Sequence, residues 1–251
     1  MRCAAGQCPK LKFAAADSVD HPLSRRIAAE AIGTGFLVAA VVGSGIAAER
    51  LSPGEVGLQL LENSTATVFA LTALILTFGS VSGAHFNPAV TLSELAGGRL
   101  QRRAVLPYMG AQVAGACLGA ILANLMFDLQ AVTVSTNDRL TPATFLSEIV
   151  ATFGLLTVIL GVVRSGRFAA VPIAVAGYIG AAYWFTSSTS FANPAVTIAR
   201  TLSNTFAGIS PGSAPAFIAA QLIGAALAVL LARFLFPEPE PSLQEVLNAR
   251  R

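Results

Sequence analysis

Of the 251 residues, 54% are hydrophobic and 12% are charged, where a soluble domain carries about a quarter charged residues, so composition places the chain in lipid. The net charge of +3 does not mark a nucleic-acid partner, because the basic residues stand in pairs between apolar stretches and form no patch that could track a phosphate backbone. Neither the three cysteines, Cys3, Cys8 and Cys117, nor the two histidines, His21 and His85, show a metal-ligand spacing, and no metal or cofactor is expected.

In chain order, residues 1–24 hold Lys10 and Lys12 with no apolar run between them and Arg25. No cleavable signal is visible, and this stretch reads as a cytoplasmic tail. A spanning helix needs about 20 apolar residues to cross about 30 Å of hydrocarbon, which residues 27–48 and then 64–82 supply. The next apolar segment, 88–97, reaches only about halfway at about 1.5 Å per residue. Spans follow at 104–127, 144–163 and 168–186. A second short segment occupies 194–204, and the sixth span is 214–236. Beyond it, Pro237, Pro239 and Pro241 alternate with Glu238 and Glu240, which predicts a loose cytoplasmic end over 237–251.

Six spans and an internal amino terminus place the even connections inside. Thirteen basic residues then lie inside, leaving only Arg50, Arg139 and Arg200 outside, and this asymmetry sets the orientation. The chain is expected in the inner (plasma) membrane with both termini cytoplasmic.

The two halves, roughly 25–127 and 142–236, repeat. Glu30, Thr34 and Leu37 match the spacing of Glu148, Thr152 and Leu155, Asn87-Pro88-Ala89-Val90-Thr91 recurs as Asn193-Pro194-Ala195-Val196-Thr197, and Gln112-x-x-Gly115-Ala116 recurs as Gln221-x-x-Gly224-Ala225. Three spans separate each element from its copy, so the second half is inverted and one half-helix enters from each side. Asparagine is a strong N-cap and proline is favoured at the first helical position, so each Asn-Pro starts a short helix. Opposed entry brings both amino ends together at mid-membrane. Two positive dipole ends and two amide donors there repel a cation and suit a neutral solute with lone pairs.

The segment Ser82-Gly83-Ala84-His85-Phe86-Asn87-Pro88-Ala89-Val90-Thr91 resembles the cytoplasmic re-entrant loop of the aquaporin (major intrinsic protein) family, and the likeness covers residues 25–236. The resemblance implies an all-α membrane protein with the aquaporin fold: six transmembrane helices plus two re-entrant half-helices in an inverted repeat. It also implies a homotetramer with one pore per subunit, and it makes Glu30 and Glu148 braces that accept backbone hydrogen bonds from the re-entrant loops. An intramembrane carboxylate needs such a partner, and a proton relay is the lesser reading. Gln112 and Gln221 are expected to do similar structural work, and Gly33, Gly110, Gly115, Gly177 and Gly224 to permit close helix contacts. His85 either lines the cytoplasmic vestibule or switches with pH, or, by preference, hydrogen-bonds its own loop. Trp184 and Tyr183 are equally open to interface anchoring or pore lining.

In water-selective members of the family an arginine follows the second Asn-Pro-Ala, where this chain has Val196. Arg200 lies one turn on; it either reaches back to the pore mouth or, as the preferred reading, caps the outer helix end. Family spacing from the asparagines places Thr67 and Ser190 in the selectivity filter. Counting back from Asn193 puts Ala181 at the remaining position, whereas counting forward from Pro172 puts Tyr183 there. Such a filter is wider and less polar than a water filter. With Tyr183-Trp184-Phe185-Thr186 leading toward Phe191, it is similar to a bacterial aquaglyceroporin-like branch associated with arsenic resistance. That likeness implies small neutral solutes such as glycerol-like polyols and trivalent arsenicals, including arsenite in its neutral acid form, along with water. A water-only channel and a non-conducting junctional protein are the alternatives. No aspartate lies in the spans to bind a coupling ion, and no nucleophile, base and orienting acid come together as in an enzyme.

Overall fold

A computed structural model describes residues 21–236, so the two expected tails fall almost wholly outside the described residues, as do Cys3 and Cys8. The helices are α1 (Leu23–Leu51), α2 (Val56–Ser82), α3 (Pro88–Ala96), α4 (Arg102–Met126), α5 (Pro142–Arg164), α6 (Val171–Phe185), α7 (Pro194–Ala199) and α8 (Ala214–Leu235). Six of these stretches, with a 3-10 turn added before α6, are long and apolar enough to cross a membrane. α3 and α7 are the two short ones. Proline at the first turn opens α3, α5, α6, α7 and α8, where its missing N–H has no helical partner to lose. Thr141 and Thr144 add a reciprocal capping box to α5.

Two boundaries differ most from expectation. α2 starts at Val56 rather than at 64, because the polar residues of its first turns are paired: Gln59 Nε2 donates to Ser52 O (2.8 Å), Ser52 Oγ to Glu62 Oε1 (2.8 Å) and Asn63 Nδ2 to Val41 O (2.8 Å). The second short segment ends its α-helix at Ala199 and tightens into a 3-10 turn over Arg200–Leu202.

α1 packs on α4, and α5 packs on α8, its counterpart pair in the repeat. Close approach needs glycine at matched points. A Cβ on Gly115 would lie 2.1 Å from Ala31 O, and one on Gly224 would lie 2.4 Å from Ile149 O. Gly110 and Gly177, expected to do the same, have nothing among the described residues within 4 Å of a Cβ and make no such contact there. Phe36, Leu106, Leu118 and Phe234 project outward as the lipid-facing surface of the bundle requires. Trp184 is among these outward residues, at 52% exposure. α3 and α7 are enclosed between the α1–α4 and α5–α8 pairs, each touching α4, α8 and the other.

Candidate functional site

The short helices owe their position to their first residue. Asn87 and Asn193 sit in extended backbone just before Pro88 and Pro194. Asn87 Oδ1 accepts from Ala89 N (2.9 Å), and Asn193 Oδ1 accepts from Ala195 N (3.0 Å). The amides also tie the halves together: Asn87 Nδ2 donates to Ala192 O (2.7 Å) and Asn193 Nδ2 to Phe86 O (2.8 Å). Both amino ends therefore meet at one place. A side-chain amide carries two N–H groups, so each asparagine retains one donor after this exchange, and both residues line the cavity described below.

The loops feeding those helices adopt backbone that side chains rarely tolerate. Ala84 and Phe86 have φ of 49° and 49°, and Ser190 and Ala192 have 52° and 46°. Each such residue costs about 1–3 kcal/mol and persists only if its surroundings enforce it. The carboxylates do so. Glu30 accepts from His85 N (2.9 Å) and Phe86 N (2.7 Å), and Glu148 accepts from Phe191 N (2.9 Å) and Ala192 N (2.9 Å). Gln112 Nε2 bridges Glu30 Oε2 (2.7 Å) and Thr91 Oγ1 (2.9 Å), while Gln221 Nε2 bridges Glu148 Oε2 (2.6 Å) and Thr197 Oγ1 (2.9 Å). Ser82 Oγ completes the Glu30 site at 2.6 Å, as Ser188 does for Glu148. Both carboxylates are fully buried and neither lines the cavity, a geometry for bracing and not for relaying protons.

A cavity of about 100 Å³ runs past both asparagines. One water needs about 10–15 Å³ measured this way, so several fit. Thr67, Tyr183, Ser190, Val196 and Arg200 all line it. Tyr183 Oη meets Thr67 Oγ1 at 3.1 Å. Ala181, the competing candidate, is exposed on the outer surface of α6 and is absent from the wall, because helical phase turns it away when Tyr183 points in. Among the described residues, Ser190 Oγ is buried without a partner. His85 lines the cavity, and its Nδ1 lies 3.1 Å from Thr91 Oγ1.

Arg200 departs from the capping role. It is 3% exposed, its Nε donates to Ala207 O, and its guanidinium carbon lies 3.4 Å from the centre of the Phe191 ring. Its own helix end does not receive the charge.

Phe191, a cavity-lining residue, and Thr91 and Thr197, which anchor the glutamines, are given no role of their own by the sequence reading. The threonines, and Ser82 with Ser188, stand at equal offsets from the two asparagines, a signal the repeat carries. Phe191 has no such signal, since its counterpart is His85.

Comparison with known proteins agrees with this arrangement. The family model described as Major intrinsic protein matches residues 17–186. The chain is 52% identical over 226 residues to "Aquaglyceroporin AqpS" of Rhizobium meliloti (strain 1021), covering 90% of this chain and 96% of that protein. It is 33% identical over 232 residues to "Aquaporin Z" of Bradyrhizobium diazoefficiens, covering 86% and 95%. Its fold matches that of the aquaglyceroporin from Plasmodium falciparum with a TM-score of 0.62 at 21% identity, over 92% of this chain and 100% of the other. Six membrane-spanning helices, two opposed half-helices and this sequence kinship make the chain a member of the major intrinsic protein family, a multi-pass membrane channel for small neutral solutes and not an enzyme.

Proposed function

We propose that the pore passes glycerol-like polyols, neutral trivalent arsenicals and water, each down its own gradient, and turns away cations and protons. One observation carries the reading: Val196 presents an apolar side chain to the cavity immediately after the second Asn-Pro-Ala, beside Thr67, Tyr183 and Ser190. A wall that is apolar on one side and carries a few hydroxyls on the other suits a solute with a carbon face and several oxygens. The description of the 52% identical relative as an aquaglyceroporin supports the polyol reading.

In this mechanism the solute sheds water at a filter of Thr67, Tyr183, Ser190 and Val196, with Arg200 contributing donors. The Tyr183 phenol replaces some of the lost hydrogen bonds. At the waist, the remaining N–H of Asn87 and of Asn193 binds the solute oxygens in turn. The amino ends of α3 and α7 place partial positive charge around the same point, where low dielectric strengthens their repulsion of a cation. The channel domain spans residues 25–236 between cytoplasmic tails in the inner membrane, and four subunits assemble, each with its own pore.

Light scattering from proteoliposomes under osmotic steps of sucrose, glycerol, urea or a neutral arsenical tests this. The glycerol and urea rates should exceed those of empty vesicles along with water. A rise in water flux alone indicates a water-selective channel, and no rise at all indicates a junctional protein.

A further inference from the structure

Arg200 is buried, and among the described residues no carboxylate lies within ion-pair distance of it. A buried cation in that situation needs other compensation. It receives a carbonyl, Ala207 O, and the face of Phe191 at 3.4 Å, a cation–π contact at close range. Guanidinium has five N–H donors, and only Nε is engaged by the protein among the described residues. Its terminal nitrogens are not among the sealed, unpartnered polar atoms of the described residues, and Arg200 lines the cavity.

A second arginine grips the same backbone segment and the same ring that hold the first. Arg139, in the segment between α4 and α5, donates from Nη2 to Phe206 O (2.7 Å) and from Nε to Gly208 O (2.6 Å). These carbonyls flank the one that takes Arg200. The Arg139 guanidinium also lies 5.6 Å from the centre of the Phe191 ring, yet Arg139 is not part of the cavity wall. The clasp is itself fixed: Phe206 N donates to Glu49 Oε2 (2.9 Å), Arg139 N to Ser213 Oγ (3.1 Å) and Thr144 Oγ1 to Arg139 O (2.6 Å). Any Cβ on Gly208 would strike Ser203 O at 2.3 Å, so the segment has no slack there.

We infer that Arg139 is a positioning residue for permeation: by clamping Phe206 O and Gly208 O and covering Phe191, it holds the Arg200 guanidinium against the pore as the filter's fixed charge. The inference rests on the reading of Arg200 as a filter residue. It gives the outer constriction its cation from a full turn beyond the expected position, leaving the space at Val196 open to larger neutral solutes.

Proteoliposome fluxes of methylammonium, glycerol and water, read as ratios to water, test it. Arg200→Leu should raise the methylammonium-to-water ratio about fivefold, Arg139→Leu should raise it by a similar factor, and the double variant no further than Arg200→Leu alone, the sign of two residues acting as one unit. Arg139→Lys keeps the charge but replaces the planar, fixed donor fork and its ring-stacking face with a compact ammonium on a flexible stem, so it too should shift the ratio. Multiplying effects in the double variant, a wild-type ratio in Arg139→Lys, or a uniform loss of all three fluxes in Arg139→Leu overturns the positioning role while leaving the filter reading intact. A wild-type ratio in Arg200→Leu overturns both. If Arg139→Leu does not fold, Phe191→Leu, which retains both charges, should shift the ratio in the same direction, and its failure to do so counts against the clasp.

Discussion

Around Asn87, Glu30 accepts from His85 N and Phe86 N at 2.9 and 2.7 Å; around Asn193, Glu148 accepts from Phe191 N and Ala192 N, both at 2.9 Å. The glutamine bridges and the crossed asparagine bonds match as closely. Away from this waist the halves diverge. On the α3 side, Tyr108 is packed between His85 and Arg26, with Arg26 Nε donating to its hydroxyl at 2.7 Å. On the α7 side, two arginines share the Phe191 ring. The bracing is architecture common to both loops and tolerates little change, whereas the mouths are free to differ and so set what passes.

The sharpest way to break that comparison is to remove one brace. Glu148→Ala leaves Phe191 N, Ala192 N and the Gln221 amide without their buried acceptor and should cost roughly 3–5 kcal/mol, seen as a large drop in the thermal unfolding midpoint in micelles. Glu30→Ala should cost about the same, and a marked inequality would mean that the halves are not equivalent. Next come the matched glycines. Gly115→Ala and Gly224→Ala press a methyl into a backbone carbonyl and should each lose about 1–3 kcal/mol, while Gly110→Ala, facing open space, should stay within about 0.5 kcal/mol of wild type.

Changes at the mouth should alter selectivity with little effect on stability. Val196→Arg fills the space beside Ser190 and should suppress glycerol flux more than water flux; equal loss of both would count against the filter assignment. Tyr183→Phe keeps the ring and removes one hydroxyl, which meets Thr67 at 3.1 Å and faces the solute, a change of about 1 kcal/mol, and should give the smallest shift in the glycerol-to-water ratio.

The spans and the two Asn-Pro starts were legible because length, apolarity and capping are local properties. The first two turns of α2 were not, since Gln59, Glu62 and Asn63 look like loop residues until Ser52 and Val41 O are seen to take up their polar groups. Left-handed backbone at Ala84 and Phe86 had no signal either, as neither is glycine and the strain is imposed by Glu30 from 55 residues away. Ala181 and Tyr183 could be separated only by helical phase: counting from Asn193 crosses an irregular loop, while counting from Pro172 stays within α6. Arg139 escaped notice for a related reason, because its partners are backbone carbonyls more than 60 positions distant, which no side-chain pattern records.

The account depends on two opposed helix starts presenting positive charge and amide donors at one point. Asn87→Asp and Asn193→Asp each preserve the Oδ1 cap, delete the crossed Nδ2 donor and place a negative charge in the lumen. Proton leak into proteoliposomes carrying either variant, measured with an internal pH dye, should rise well above wild type and by similar factors for the two. Wild-type exclusion in both variants, or a leak confined to one, would contradict the shared waist.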